Sequence, residues 1–252
     1  MLAETLFLDA NNALDVVRSM VKKGQIAWAS LPQSVETRIR SVLRKFLEAA
    51  NCGHAGAQFK LGVMYINGQG VKQDFQEAAK WSRQAADQGY AKAQFNLGFI
   101  YEKGQGVKQD LKEAVKWYRR AAHQGLEQAQ FNLGFMHESG KGVKHDFKEA
   151  VKWYRKAADE GFADAQSNLG AMYNRGYGVK QDLKEAVKWY RKAADQGFKS
   201  AQYNLGTMYE NGQGVKQDLK EAANWHNKAA DQGLAGLGAN ATWALCIAMN
   251  EK

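Results

Sequence analysis

Proline is almost missing from this 252-residue chain: it occurs once, as Pro32. With so few breaks, long uninterrupted helices are allowed, and a proline-rich linker or collagen-like segment is excluded despite the 25 glycines. Cysteine is nearly as scarce. Cys52 and Cys246 lie near opposite ends, so neither a disulfide framework nor a cysteine-cluster zinc site can be built, and packing alone must hold the fold. No apolar run reaches the roughly 18 residues a membrane-spanning helix needs. The first residues, MLAETLFLDANNALD, have no basic segment and place Glu4 and Asp9 among the apolar ones. That reads as a cytoplasmic protein without an export signal, other export routes remaining open. What is present is core-forming: 45% of the residues are apolar and 24% charged, which excludes a disordered chain.

The segment AQFNLGFIYEKGQGVKQDLKEAVKWYRRAAHQG recurs with small changes. Trp81, Trp117, Trp153, Trp189 and Trp225 are 36 residues apart, as are Gly62, Gly98, Gly134, Gly170 and Gly206. A fixed period of this length is the signature of a repeat architecture. Five repeats run over 57–236, residues 1–56 are read as capping helices with a degenerate half repeat, and 237–252 as a terminal capping helix.

Inside one repeat, Ala93, Leu97, Ile100 and Tyr101 have helical spacing and stop at Gly104 and Gly106, defining a first helix, A. Asp110, with Glu113 three residues later, opens a second helix, B. Both carboxylates are expected to accept unpaired amides at its start. Helix B carries Ala114, Trp117, Ala121 and Ala122 and ends at Gly125. A glycine inside helix A costs about 1 kcal/mol against alanine, so close approach of a neighbouring helix is expected at Gly98, with the alanine pair of helix B fitting it. The tryptophans are expected in the core.

The pattern AQxNLGxMY, GxGVKQD, EAVKWYRKAADQG resembles the Sel-one-like repeat (SLR) family, related to the tetratricopeptide repeats, with His137 standing at a tyrosine position. The resemblance implies an all-α fold, a right-handed solenoid of antiparallel helix pairs. It also implies a non-enzymatic adaptor or scaffold that holds a protein or peptide in a concave groove. Exported members linked to cell-wall-type ligands carry a cysteine pair in each repeat, which Cys52 and Cys246 do not reproduce.

Variation among the repeats separates packing from recognition. Gln94, Leu97 and Ile100 have near-constant equivalents, whereas the third, seventh, tenth and eleventh repeat positions vary and lie on one helical stripe. By analogy with the tetratricopeptide repeat, that stripe faces the groove. The third position reads Phe59, Phe95, Phe131, Ser167, Tyr203, and the seventh Val63, Phe99, Phe135, Ala171, Thr207. Between them runs a ladder of Asn96, Asn132, Asn168 and Asn204, with Lys60 in the first repeat. An amide both donates and accepts, which suits an extended peptide backbone; the related tetratricopeptide proteins use asparagine there in this way. Phe95, Asn96, Phe99, Phe131, Asn132, Phe135, Asn168, Tyr203 and Asn204 are the expected partner-binding residues. The bland alternative is that each asparagine bonds the next helix and each phenylalanine fills a gap. Helix spacing makes the stripe on the order of 40 to 50 Å long, room for about a dozen extended residues.

A formal charge of 35 minus 26, or +9, gathers on helix B at residues such as Lys112, Lys116, Arg119 and Arg120. The alternative function is therefore a basic surface binding nucleic acid or acidic lipid. No nucleic-acid motif supports it, and a solvated outer face with Glu113 to Lys116 pairing is the simpler reading. His54, His123, His137, His145 and His226 lack ligand spacing. GQGVKQD follows a helix and lacks the GxxxxGK[ST] pattern. No catalytic residue, metal, cofactor or small-molecule substrate is expected.

Overall fold

A computed structural model of the chain describes residues 1–28 and 30–233, so the expected terminal cap over 237–252 lies outside the described residues. The described residues form helices and short connections, in two compact units that meet in sequence between Leu126 and Glu127. The first unit holds α1 (Leu2–Lys22), α2 (Gln33–Asn51), α3 (Ala55–Asn67), α4 (Phe75–Asp87), α5 (Ala91–Lys103) and α6 (Leu111–His123). The second holds α7 (Glu127–Ser139), α8 (Phe147–Asp159), α9 (Ala163–Arg175), α10 (Leu183–Asp195), α11 (Lys199–Asn211) and α12 (Leu219–Asp231). Within each unit consecutive helices pack pairwise, each pair then packing on the next. This is the all-α solenoid of helix pairs that the family resemblance implies. Helices A are α3, α5, α7, α9 and α11; helices B are α4, α6, α8, α10 and α12.

The helix boundaries follow from capping chemistry. Asp110 caps α6, its carboxylate accepting the amides of Lys112 and Glu113, each at 3.0 Å. Asp74, Asp146, Asp182 and Asp218 cap the other B helices. The glutamate half of the expected arrangement differs: Glu113 Oε1 accepts the indole N–H of Trp117 at 2.9 Å and the Lys116 ammonium at 3.1 Å. Glu221 accepts from Trp225 at 2.7 Å in the same way. In these two helices a carboxylate one turn earlier supplies the acceptor that a buried indole N–H needs, whereas the indole nitrogens of Trp81 and Trp189 find none among the described residues. Helix A ends where Gly104 takes a left-handed conformation, φ 67°. Two residues on, Gly106 is also left-handed and lies so close to Phe75 at the start of the preceding helix B that a Cβ would collide with that residue's carbonyl.

The tryptophans are core, Trp117 only 1% exposed. Trp117 clusters with Ala85 and Ala86 of the preceding helix B and with Ala93 and Leu97 of its own helix A, and Trp225 likewise with Ala193, Ala194, Ala201 and Leu205. The alanine pair of helix B thus makes room for the next repeat's indole, not for the helix A glycine. That glycine admits a ring of its own repeat's helix B. A Cβ on Gly98 would stand 2.7 Å from Cδ1 of Tyr118, and one on Gly134 2.8 Å from Cδ1 of Tyr154. The near-constant glutamine locks the stack. Gln94 donates to the Ala86 carbonyl at 3.1 Å and accepts from Gln124 at 2.8 Å, joining three consecutive helices. Gln166 repeats both bonds, with Ala158 at 3.0 Å and Gln196 at 2.8 Å.

At the amino end, residues 2–22 form one helix, and α2 begins directly after Pro32. Lys45, at the tryptophan position of this half repeat, cannot be buried as an indole is; its ammonium reaches Asp9 of α1 at 3.1 Å.

Candidate partner-binding face on the A helices

Packing decides which side of helix A meets solvent. In α5, Ala93, Gln94, Leu97, Gly98 and Ile100 are buried, which leaves Lys92, Phe99 and Lys103 exposed and Phe95 and Asn96 half-buried between them. Spacings of three and four residues place these on one stripe.

The expected aromatic residues divide into two kinds. Phe95 is half-buried, its ring 5.6 Å from that of Tyr118. Phe131 stands 5.6 Å from Tyr154 and 5.4 Å from Phe162, and Tyr203 5.1 Å from the imidazole of His226. These three are partly spent on holding helix A to its neighbours. Phe99 and Phe135 are not: they are 36% and 39% exposed. The Lys103 ammonium lies 5.5 Å above the Phe99 ring, and that of Lys141 5.1 Å above Phe135. An exposed phenylalanine beneath a cation offers both apolar area and positive charge.

All four ladder asparagines are half-buried. Asn168 donates to the hydroxyl of Tyr154, which itself donates to Glu138 at 2.5 Å. Phe131 and Asn168 therefore meet on one tyrosine. Burial, followed by the Glu138 carboxylate, drives the Tyr154 pKa well above the ordinary phenol value. Tyr190, whose repeat has Asn174 in place of that glutamate, is pushed up to about 12 by burial. Asn96 and Asn204 make no side-chain hydrogen bond among the described residues.

The outer cations of helix B are largely engaged. Lys80, Lys116, Lys152 and Lys188 pair with glutamates three residues earlier. Lys156, Lys192 and Lys228 lie 4.4, 4.0 and 4.1 Å above the rings of Trp153, Trp189 and Trp225. Arg83, Arg155 and Arg191 donate to the hydroxyls of Tyr101, Tyr173 and Tyr209. One cleft on this side is lined by Val151, Trp153, Arg155, Lys156 and Gly178.

The histidines have local duties. His54 caps α3, its Nδ1 accepting the Ala57 amide at 3.1 Å while Nε2 meets Glu4 at 2.8 Å. His137 and His226 are buried, and His145 sets its edge on Phe147. Among the described residues no three His, Cys, Asp or Glu side chains could hold a metal, and no helix is long and apolar enough to cross a membrane.

Two features escape the reading of the sequence. The position after the tryptophan, Ser82, Tyr118, Tyr154, Tyr190 or His226, fills the helix A glycine notch. Tyr177, in the loop after α9, is 42% exposed and stacks on Phe147 at 4.7 Å. The signal for Tyr177 was available, since Gln69, Gln105 and Gln213 occupy its place elsewhere.

Comparison with known proteins agrees with this architecture. The family model described as "Sel1 repeat" matches five times, at residues 55–90, 91–126, 127–162, 163–198 and 199–234. A crystal structure of c5321, a protective antigen of uropathogenic Escherichia coli displaying an SLR fold, is 35% identical with a TM-score of 0.76. The match covers 89% of this chain and 49% of that one, so the chain spans about half the length of the E. coli protein. A Sel1 repeat protein from Oxalobacter formigenes is 32% identical with a TM-score of 0.75, over 89% of this chain and 82% of that one. No curated protein matches.

Proposed function

The chain belongs to the Sel1 repeat family, whose members generally mediate protein–protein interactions, and we propose that it is a non-enzymatic adaptor holding a segment of a partner protein on its helix A face. The observation that carries this reading is the pair Phe99 and Phe135, large apolar rings left exposed at the same repeat position, each beneath a lysine. A buried ring would serve the fold; an exposed one with a cation over it serves a contact. In the first unit Phe95, Asn96 and Phe99 form the face. In the second, Phe131, Asn132, Phe135, Asn168, Tyr203 and Asn204 do, with Phe131 and Tyr203 as the floor. Free amides at Asn96 and Asn204 suit the unpaired backbone of an extended segment. The basic outer face is the weaker reading, because so many of its cations already have carboxylate, indole or phenol partners.

The test is affinity capture from native lysate, comparing the wild type with a folded Phe99→Ala, Phe135→Ala variant washed at low and moderate salt. A protein retained by the wild type at both salt concentrations and lost by the variant is the expected result. Capture of the same proteins by both would sink the proposal. Nucleic acid or acidic lipid captured by both and released at moderate salt would point to helix B instead.

A further inference from the structure

Lys60 breaks the asparagine ladder with a charge. It occupies the ladder position of α3 and is partly buried, yet among the described residues no carboxylate lies within ion-pair distance of its ammonium. Arg18 of α1 and Lys92 of α5 oppose its charge, and Asp15 favours it. Asp15 is already engaged, accepting from Asn11 at 3.2 Å and pairing with Arg18 at 3.6 Å. Arg18 is in turn held by the Gln69 side chain at 2.9 Å, which fixes its place beside α3. Burial, then Arg18, hold the Lys60 ammonium below the usual lysine pKa, the sign of a cation short of negative charge.

Several other lysines among the described residues have a carboxylate partner. Lys45 has Asp9, and Lys80, Lys116, Lys152 and Lys188 have glutamates. A partly desolvated cation crowded by two others is unfavourable in the free protein, and an incoming carboxylate relieves it. Apolar contact surface lies in the same unit: Phe59 and Phe95 half-buried, and Phe99 exposed under Lys103. Charge and aromatic area thus occur together on this unit's A helices.

We propose that the helix A face of the first unit binds an acidic extended segment of a partner protein, an Asp or Glu carboxylate of that segment seated on Lys60 within the positive field of Arg18 and Lys92. The assignment rests on the adaptor reading and names the chemistry of the segment.

A phage-displayed library of random dodecapeptides, panned against the immobilised full chain, tests it. Lys60→Asn installs the residue found at this position in the other four repeats, so the fold is kept, as circular dichroism will verify. Lys112→Asn removes the same charge from helix B and serves as the control. Asp and Glu are expected to be enriched in the clones selected on the wild type and on Lys112→Asn, but not on Lys60→Asn. A synthetic peptide from the wild-type pool should bind Lys60→Asn on the order of tenfold more weakly. Its amide version, with Asn and Gln for Asp and Glu, should bind both proteins alike. Equal acidic enrichment on the wild type and Lys60→Asn, equal loss on Lys112→Asn, or non-acidic winners overturn the carboxylate seat while leaving the adaptor reading intact. Failure of any peptide to enrich, or winners that bind a Phe99→Ala variant undiminished, removes the face itself and the seat with it.

Discussion

Alanine at Gly98 and alanine at Gly62 are the same change at equivalent positions, and the structure gives them opposite signs. In a helix interior, alanine is favoured over glycine by about 1 kcal/mol. At Gly98 the new Cβ would stand 2.7 and 2.8 Å from Cδ1 and Cε1 of Tyr118, and 3.2 Å from the Ala114 carbonyl oxygen. The ring cannot step aside easily, because Tyr118 is fully buried and its hydroxyl donates to Glu102 at 2.7 Å. Overpacking of this kind costs about 1 to 3 kcal/mol, so the net effect is a destabilisation of up to about 2 kcal/mol. At Gly62 the nearest atom is the Ser82 hydroxyl at 2.7 Å, and the next contacts, the Ala78 carbonyl oxygen and the Ser82 amide, are at an ordinary 3.4 Å. A hydroxyl rotates away, so the helix preference prevails and Gly62→Ala should stabilise by up to about 1 kcal/mol. Urea denaturation followed by far-ultraviolet circular dichroism measures both, with the m-value checked for loss of two-state behaviour in a repeat stack. A third variant closes the cycle. With Tyr118→Ser the first repeat's arrangement is copied, and Gly98→Ala should then become favourable, a coupling of about 1 to 3 kcal/mol. If Gly98→Ala raises the urea midpoint as much as Gly62→Ala does, the ring is not what the glycine is for.

Two further outcomes concern pH. Burial pushes Tyr190 up to about 12, so its neutral form is favoured in the folded chain. Stability from this group is therefore complete below the unfolded phenol value of about 10, and is lost as pH climbs from there through the folded value. Tyr190→Phe should flatten part of that alkaline decline, and tyrosinate absorbance should show Tyr190 ionising late; a normal phenol titration contradicts the assignment. At acid pH the sign reverses. The Glu149 amide, with that of Lys148, holds the Asp146 carboxyl below its ordinary range. That stabilisation is present above the unfolded Asp value of about 3.9 and disappears as pH falls through the depressed folded value. Asp146→Asn keeps the cap but removes the proton, so its melting temperature should depend less on pH across this range than the wild type's.

The helix pairs, their ends and the tryptophan core were legible because each depends on a residue type at a fixed repeat position. Asp110 caps a helix with its own side chain, Gly104 ends one with its own backbone, and neither needs a distant partner. Partner choice was less legible. Glu113 sits where a capping-box glutamate would, but the indole of Trp117 one turn on competes for it, and a donor buried away from water outbids an amide that water can reach. The alanine pair looked suited to the glycine, yet it receives the following repeat's tryptophan, a contact between repeats that inspection of a single repeat does not show. In the second unit, likewise, Asn168 bonds back to Tyr154 of the preceding helix B.

Variation among repeats is a guide to recognition only after burial has been subtracted. Ser82, Tyr118, Tyr154, Tyr190 and His226 differ more in chemistry than the ladder residues do, yet all five are buried against the helix A glycine. The glycine tolerates this because a notch without a Cβ admits any ring or smaller group, so a constant residue permits its partner to vary. Counting that position as a recognition site would be an error that the sequence alone invites. Removing it, and the rings of Phe95, Phe131 and Tyr203 that lean on it or on its neighbours, leaves a short set whose variation packing does not explain. Phe99 and Phe135 are exposed where other repeats have valine, alanine or threonine; Tyr177 is exposed where three others have glutamine; Lys60 is charged where four others have asparagine. Exposed apolar area of this kind marks a contact surface more often than a packing need, which is why the proposed partner segment is placed against Phe99 and Phe135.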